Sequence, residues 1–141
     1  MFKRRITTEQ LNELTEEQKV KLRKSWKPQE GDKFILLCCH CNKSCIKIKY
    51  VHHVDQYGIC LMNDNLYADK EDCLPLLDIG QMIELLESKG VRLDIYMNIF
   101  NKWLIRDLNK PLNENDESQF LGDEPQGELV DAFFEACKEV L

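Results

Sequence analysis

The chain lacks any apolar run approaching the roughly 18 residues of a membrane-spanning helix; Phe34–Cys41 is about its longest. Its first residues, MFKRRITTEQ, carry positive charge with no apolar stretch behind them, so a secretory leader is not expected. There is no Gly-rich phosphate loop, no His-Glu-x-x-His and no Gly-x-Ser-x-Gly, which removes the P-loop, zincin and α/β-hydrolase readings. The carboxylates of the second half are scattered, and no pair falls on one face of a cleft. No internal repeat occurs, and low complexity is confined to Asn109–Ser118. The expectation is a protein that is not an enzyme. Seven cysteines, an odd number with no leader, read as reduced thiols in a cytoplasm.

What is present is an ordinary globular composition: 141 residues, 43% apolar and 31% charged. That length suits a single domain over 1–141, with 1–14 and 109–118 as flexible segments. Charge is uneven. Residues 1–62 hold 12 Lys/Arg against 7 Asp/Glu, and residues 63–141 hold 7 against 18, for a whole-chain charge of −6. An acidic second half repels phosphate, so nucleic acid is not the expected partner, and no membrane contact is expected. The cluster Lys19, Lys21, Arg23 and Lys24 reads first as a solvated helix face.

Thr7-x-x-Gln10 and Thr15-x-x-Gln18 are capping boxes, predicting a short helical turn and then a helix over Glu16–Ser25. Its apolar stripe (Leu11, Leu14, Leu22, Trp26) is thin, so this helix should be mostly solvated. Pro28 and Gly31-Asp32 break it. Strands follow at Phe34–Cys41, Cys45–Val54 and Ile59–Met62, then a polar loop over Asn63–Asp72. Asp78 with Gln81 caps a helix over Ile79–Lys89, which Gly90 stops. Val91, Leu93, Ile95 and Met97 alternate as a half-buried strand, and Trp103–Leu108 returns as its hairpin partner. Phe120-Leu121 adds a short strand, and Pro125 opens a closing helix with Leu129, Val130, Phe133, Phe134, Cys137, Val140 and Leu141 on its stripe. The fold class is α+β: antiparallel sheet, a three-stranded meander plus a later hairpin, with helices on one face in the order α-β-β-β-α-β-β-α.

Five cysteines and all three histidines fall within Phe34–Met62. Zinc takes four thiolate or imidazole ligands, often from Cys-x2-4-Cys knuckles. Cys38, His40, Cys41, Cys45, His52, His53 and Cys60 are therefore the candidate ligands. Geometry argues against them, because in a strand Cys38 and Cys41 point to opposite faces. Only Cys41 and Cys45 flank a turn. A two-residue turn at Asn42-Lys43 sets His40 opposite Cys45, a three-residue turn sets Cys41 there, and both registers stay open. Thiols packed in a sheet, with histidines at its edge, are the favoured reading. No catalytic, cofactor or metal residue is assigned.

Several short motifs in order resemble a group of small uncharacterised proteins of phages and prophages of Gram-positive bacteria. They are Leu14-Thr15-x-Glu17-Gln18, Leu22-Arg23-x-x-Trp26-x-Pro28-x-x-Gly31-Asp32, Leu74-Pro75 before the Gln81 helix, the hairpin with Trp103, and Phe120-x-Gly122-x-x-Pro125. The likeness spans about 14–141 and implies a phage or prophage accessory protein; it supplies no catalytic residues. Val91–Leu141 alone is similar to the partner-binding domain of type II antitoxins of the HicB kind, with Gly127-Glu128 where that pattern has Glu-Glu-Ala. The leading expectation is a non-enzymatic accessory or protein-interaction domain, binding an unknown protein or itself as a homodimer, without a cofactor. One alternative is a small zinc-binding module built on the Cys38–Cys60 cluster. Another is an antitoxin-like or nucleic-acid adaptor using Lys19, Lys21, Arg23 and Lys24.

Overall fold

A computed structural model of the chain describes residues 4–37, 46–63, 66–110 and 119–141. Among these residues lie four α-helices and two antiparallel sheets, the expected α+β class. The chain divides into two compact units, Thr7–Leu77 and Met1–Ile6 with Asp78–Leu141. No helix among the described residues is long and apolar enough to cross a membrane.

In the Thr7–Leu77 unit, Thr7 caps α1 (Thr8–Asn12) and Thr15 caps α2 (Glu16–Ser25). Each hydroxyl accepts from the backbone N–H three residues on, and the Gln10 and Gln18 side chains accept from the cap residue in return. Leu22 is the buried residue of α2, as the thin stripe predicts. Trp26 ends the helix in extended geometry and is buried. Its indole N–H donates to Asp32 Oδ2 at 3.0 Å, an oxygen that also accepts from the Gln29 N–H.

The sheet of this unit contains β1 (Lys33–Leu37), β2 (Ile46–Asp55), β3 (Gly58–Leu61), β4 (Tyr67–Ala68) and β5 (Cys73–Pro75). Its order is β4-β3-β2-β1-β5, so the expected meander is the centre of a five-stranded sheet. Two elements depart from the sequence reading. Tyr67–Ala68, read as loop, pairs with β3, and Cys73–Pro75 pairs with β1. Both are short edge strands whose pairing comes from open backbone groups on a neighbour rather than from their own pattern, and an edge is where Pro75 is tolerated. Phe34, Val51, Ile59 and Leu61 are buried on one face of the sheet and the cross-strand pair Ile35 and Leu74 on the other, while Leu11, Leu22 and Trp26 are buried in and after the helices. The Trp26 and Phe34 rings lie 5.8 Å apart, and Arg23 Nε donates to the Cys73 carbonyl at 2.9 Å, tying α2 to β5.

Gly58 starts β3 with φ of +115°, and a Cβ there would stand 2.9 Å from the Ala68 carbonyl oxygen of β4. Gly58→Ala is therefore expected to cost about 1–3 kcal/mol in backbone strain alone. The contact with β4 adds to that cost. Urea unfolding of the two proteins checks this, and a loss near zero would contradict it.

The second unit carries α3 (Ile79–Ser88), β6 (Leu93–Met97), β7 (Trp103–Asp107), β8 (Phe120–Gln126) and α4 (Leu129–Val140), with sheet order β6-β7-β8. Asp78 caps α3 and Gln81 returns the bond; the Arg5 guanidinium pairs with Asp78 at 3.8 Å. Helix α4 packs over β7 and β8 and buries Val130, Phe133, Phe134 and Cys137 with Ile105 and Leu121 of the sheet. Asp107 is nearly buried, and its Oδ1 accepts from the Arg92 and Asn109 N–H groups.

Two expectations are corrected here. Pro125 does not open the last helix: it lies in β8, and α4 starts after Glu128. The β7–β8 register shifts between the Ile105–Leu121 and Trp103–Gln126 pairs, so 122–125 bow out of the ladder. A bulged edge strand has room for a residue without an N–H. Gly122 opens that stretch at φ +96°, its N–H donating to Glu139 Oε2 of α4 at 2.6 Å. The second correction concerns β6. Its alternation is present, but Ile95 and Met97 are 45% and 44% exposed because the strand ends the sheet.

Candidate functional site

Regular alternation sends neighbouring residues of a strand to opposite faces, which would separate His52 from His53. The β2–β3 ladder is not regular there. Val51 pairs with Leu61 and His53 with Cys60, leaving His52 as the extra residue of a β-bulge. The bulge turns both imidazoles to one side, with Nδ1 to Nδ1 at 2.6 Å and ring centroids at 4.8 Å. Cys60 Sγ completes a trio whose donor atoms all lie within 4.8 Å of one another. The thiol is buried and the two imidazoles are exposed.

Behind this trio stands a hydrogen-bonded support. His53 Nε2 lies 3.2 Å from Asp55 Oδ2, and the Tyr67 hydroxyl donates to the same oxygen at 2.8 Å. Asp55 Oδ1 accepts from the Tyr57 N–H at 2.8 Å. Tyr67 pairs with Cys60 across β3–β4, and its ring meets those of His53 and Tyr57 edge-on. The Tyr57 N–H first, then the Tyr67 hydroxyl and His53, hold the Asp55 carboxyl below its ordinary range against some desolvation. The bond to Asp55 pushes the Tyr67 phenol up to about 12.

The signs of these shifts fix a pH dependence. A raised phenol favours folding at pH below its ordinary value of 10.0, and that contribution is lost as pH climbs toward about 12. The lowered carboxyl contributes above its ordinary 3.8 and is lost on acidification below it. Asp55→Asn is expected to return the Tyr67 phenol toward 10.0, followed by NMR of ring-labelled tyrosine through a pH titration. A phenol that stays put would break the assignment of Asp55 as its partner.

Of the sequence candidates, His52, His53 and Cys60 come together. Cys38, His40, Cys41 and Cys45, with the Asn42–Ser44 turn and its two registers, lie outside the described residues. Cys60, Cys73 and Cys137 are free and buried. Burial pushes the Cys73 and Cys137 thiols up to about 12, which suits packing and not nucleophilic attack. The spacing of His53 and Asp55 by two residues was the available signal for a shared face. Tyr67 carries none, because Tyr67-Ala68 has no strand pattern of its own.

The basic helix makes local contacts. Lys19 pairs with Glu16 at 3.2 Å and Lys21 with Glu17 at 3.3 Å, while Arg23 is committed to the Cys73 carbonyl. These pairs draw three of the four cations of the adaptor reading toward the chain itself.

A second feature lies in the other unit. The turn between β6 and β7 presents Ile99 and Phe100 at 90% and 74% exposure. Asn98 fixes that turn: its Oδ1 accepts from the Phe100 and Lys102 N–H groups, and its N–H donates to the Lys102 carbonyl. Next to it, the exposed residues of β6 continue the apolar surface along the sheet edge. The exposed apolar turn thus lies beside the open edge of the sheet. Comparison of the chain with family models, with curated proteins and with solved structures finds no match.

Proposed function

We propose that the chain is a non-enzymatic interaction module which associates with a second copy of itself through β6. One observation carries this reading. Leu121, Ile105 and Ile95 stand abreast across β8, β7 and β6, and their exposures run 2%, 0% and 45%. An apolar row that is dry on two strands ends in water on the third. A further strand alongside β6 would continue it.

Register supports a second copy as the occupant. The Arg92 carbonyl accepts from the Leu108 N–H and the Asn98 N–H donates to the Lys102 carbonyl, at the two ends of β7, so alternation aims the N–H and C=O groups of Leu93, Ile95 and Met97 at the open edge. Laid antiparallel on itself about Ile95, β6 sets Ile95 against Ile95, Leu93 against Met97 and Asp94 against Tyr96. All the outward groups then pair, and no like charges face. Such a contact is self-complementary and closes at two copies.

The motif order supports an accessory protein of the phage or prophage kind, and buried free thiols fit a reducing cytoplasm. Light scattering on a concentration series tests the association. A dimer is expected at high micromolar chain, strengthening with salt because residues 63–141 carry 18 acidic against 7 basic side chains. A monomer throughout the series would defeat the proposal.

A further inference from the structure

We propose that His52, His53 and Cys60 form a binding site for a zinc-class divalent cation, with Asp55 and Tyr67 as the groups that orient it. The proposal stands apart from self-association, since the trio sits in the other unit.

Three independent features point to a cation. The first is the donor set. Two imidazoles and a thiolate are the borderline-soft ligands that zinc selects over magnesium or calcium, and no competing carboxylate belongs to the trio. The second is the backbone device that assembles it. Without the bulge at His52 the imidazoles would diverge, and with it both nitrogens and the Cys60 sulfur converge within 4.8 Å. Bulges re-aim side chains, and here the re-aimed side chains are ligands.

The third is the support behind His53. Its Nε2 lies 3.2 Å from Asp55 Oδ2 and its Nδ1 lies 2.6 Å from His52 Nδ1, so one ring nitrogen faces the carboxylate and the other faces the second imidazole. Metal-binding histidines are commonly held in this way, one ring nitrogen donating to a carboxylate and the other on the ion. Asp55 is itself fixed by the Tyr57 N–H and the Tyr67 hydroxyl, both at 2.8 Å. Asp55, held by Tyr57 and Tyr67, therefore fixes the orientation of the His53 ring.

Geometry requires one adjustment. Nitrogens on a tetrahedral zinc stand roughly 3.3 Å apart, from Zn–N bonds of about 2.05 Å. The present 2.6 Å must open, and both imidazoles are exposed enough to turn. Three protein ligands leave one tetrahedral position for water or another donor. The competing view is a plain imidazole–imidazole hydrogen bond on a solvated strand, and it makes different predictions.

The test is a Co2+ titration of the reduced full-length chain, freed of metal beforehand. One Co2+ per chain is expected, with a thiolate-to-cobalt charge-transfer band and the visible bands of a tetrahedral ion. Cys60→Ser should abolish the charge-transfer band. The exposed-site variants His52→Gln and His53→Gln should each weaken binding by about tenfold or more, with far-ultraviolet dichroism unchanged. Asp55→Asn, which touches no metal, should weaken it about 10–100-fold through loss of His53 orientation. Failure to bind Co2+ or Zn2+ would overturn the proposal. So would a charge-transfer band that persists at full affinity in both histidine variants, because the thiolate would then belong to other cysteines.

Discussion

Truncating Phe34 to alanine is expected to lower stability by about 3–5 kcal/mol, the range for a fully buried aromatic. Phe34 is fully buried in β1, with Trp26 packed on it at 5.8 Å. Strand β1 pairs with β2 on one side and β5 on the other, so a cavity there loosens both ladders at once. Trp26, the ring that packs on Phe34, is itself buried and cannot swing into the void without leaving its bond to Asp32. Val20→Ala is the control. Val20 is 43% exposed on α2 and should change stability by only about 0.5 kcal/mol. Urea unfolding followed by tryptophan fluorescence measures both, and a Phe34→Ala loss under about 1 kcal/mol would contradict the packing described.

On the proposed self-pairing of β6, replacing Ile95 by lysine is expected to leave the chain monomeric. In the self-paired register Ile95 meets its own copy at a Cβ separation of about 4.5–5.5 Å. Lysine would bring two ammonium groups together and remove the apolar pair that extends the Ile105 and Leu121 row. Because Ile95 is 45% exposed, the fold of each chain should survive the change. Light scattering gives the mass and urea unfolding the stability. A lysine variant that stays dimeric, or one that unfolds, would remove β6 as the contact.

Local features of the fold were legible in the sequence. The capping boxes at Thr7, Thr15 and Asp78 need residues only three apart, and each forms as read. The stripe of α4 also identifies its buried face, since Val130, Phe133, Phe134 and Cys137 repeat at helical spacing. Non-local features were not legible. Strands β4 and β5 exist because β3 and β1 offer backbone partners, and neither Tyr67-Ala68 nor Cys73–Pro75 encodes that by itself. Pro125 is a good helix opener by rule, yet the bulge in β8 and the approach of Gly122 to α4 hold it in the strand. Alternation in β6 gave the apolar face but not which strand ends the sheet.

The same division runs through the candidate site. Cysteines and histidines crowd Phe34–Met62 in the sequence, and His52, His53 and Cys60 are the members that the described residues bring together. What unites them is a register shift between β2 and β3 at His52, three pairs beyond the turn at Gly58. Asp55 lies between the predicted strands Cys45–Val54 and Ile59–Met62 and shares only its spacing with His53; its bonds to Tyr57, Tyr67 and His53 come from the fold.

Mixing charge-reversed chains tests self-pairing most directly. Ile95→Lys and Ile95→Glu are each prepared alone, combined in equal amounts, and examined by native mass spectrometry, where their masses distinguish every pairing. If β6 pairs with β6 about Ile95, each variant alone is monomeric and the mixture gives a dimer holding one chain of each kind. If the mixture stays monomeric, or if either variant dimerises alone, the copies do not meet at that strand.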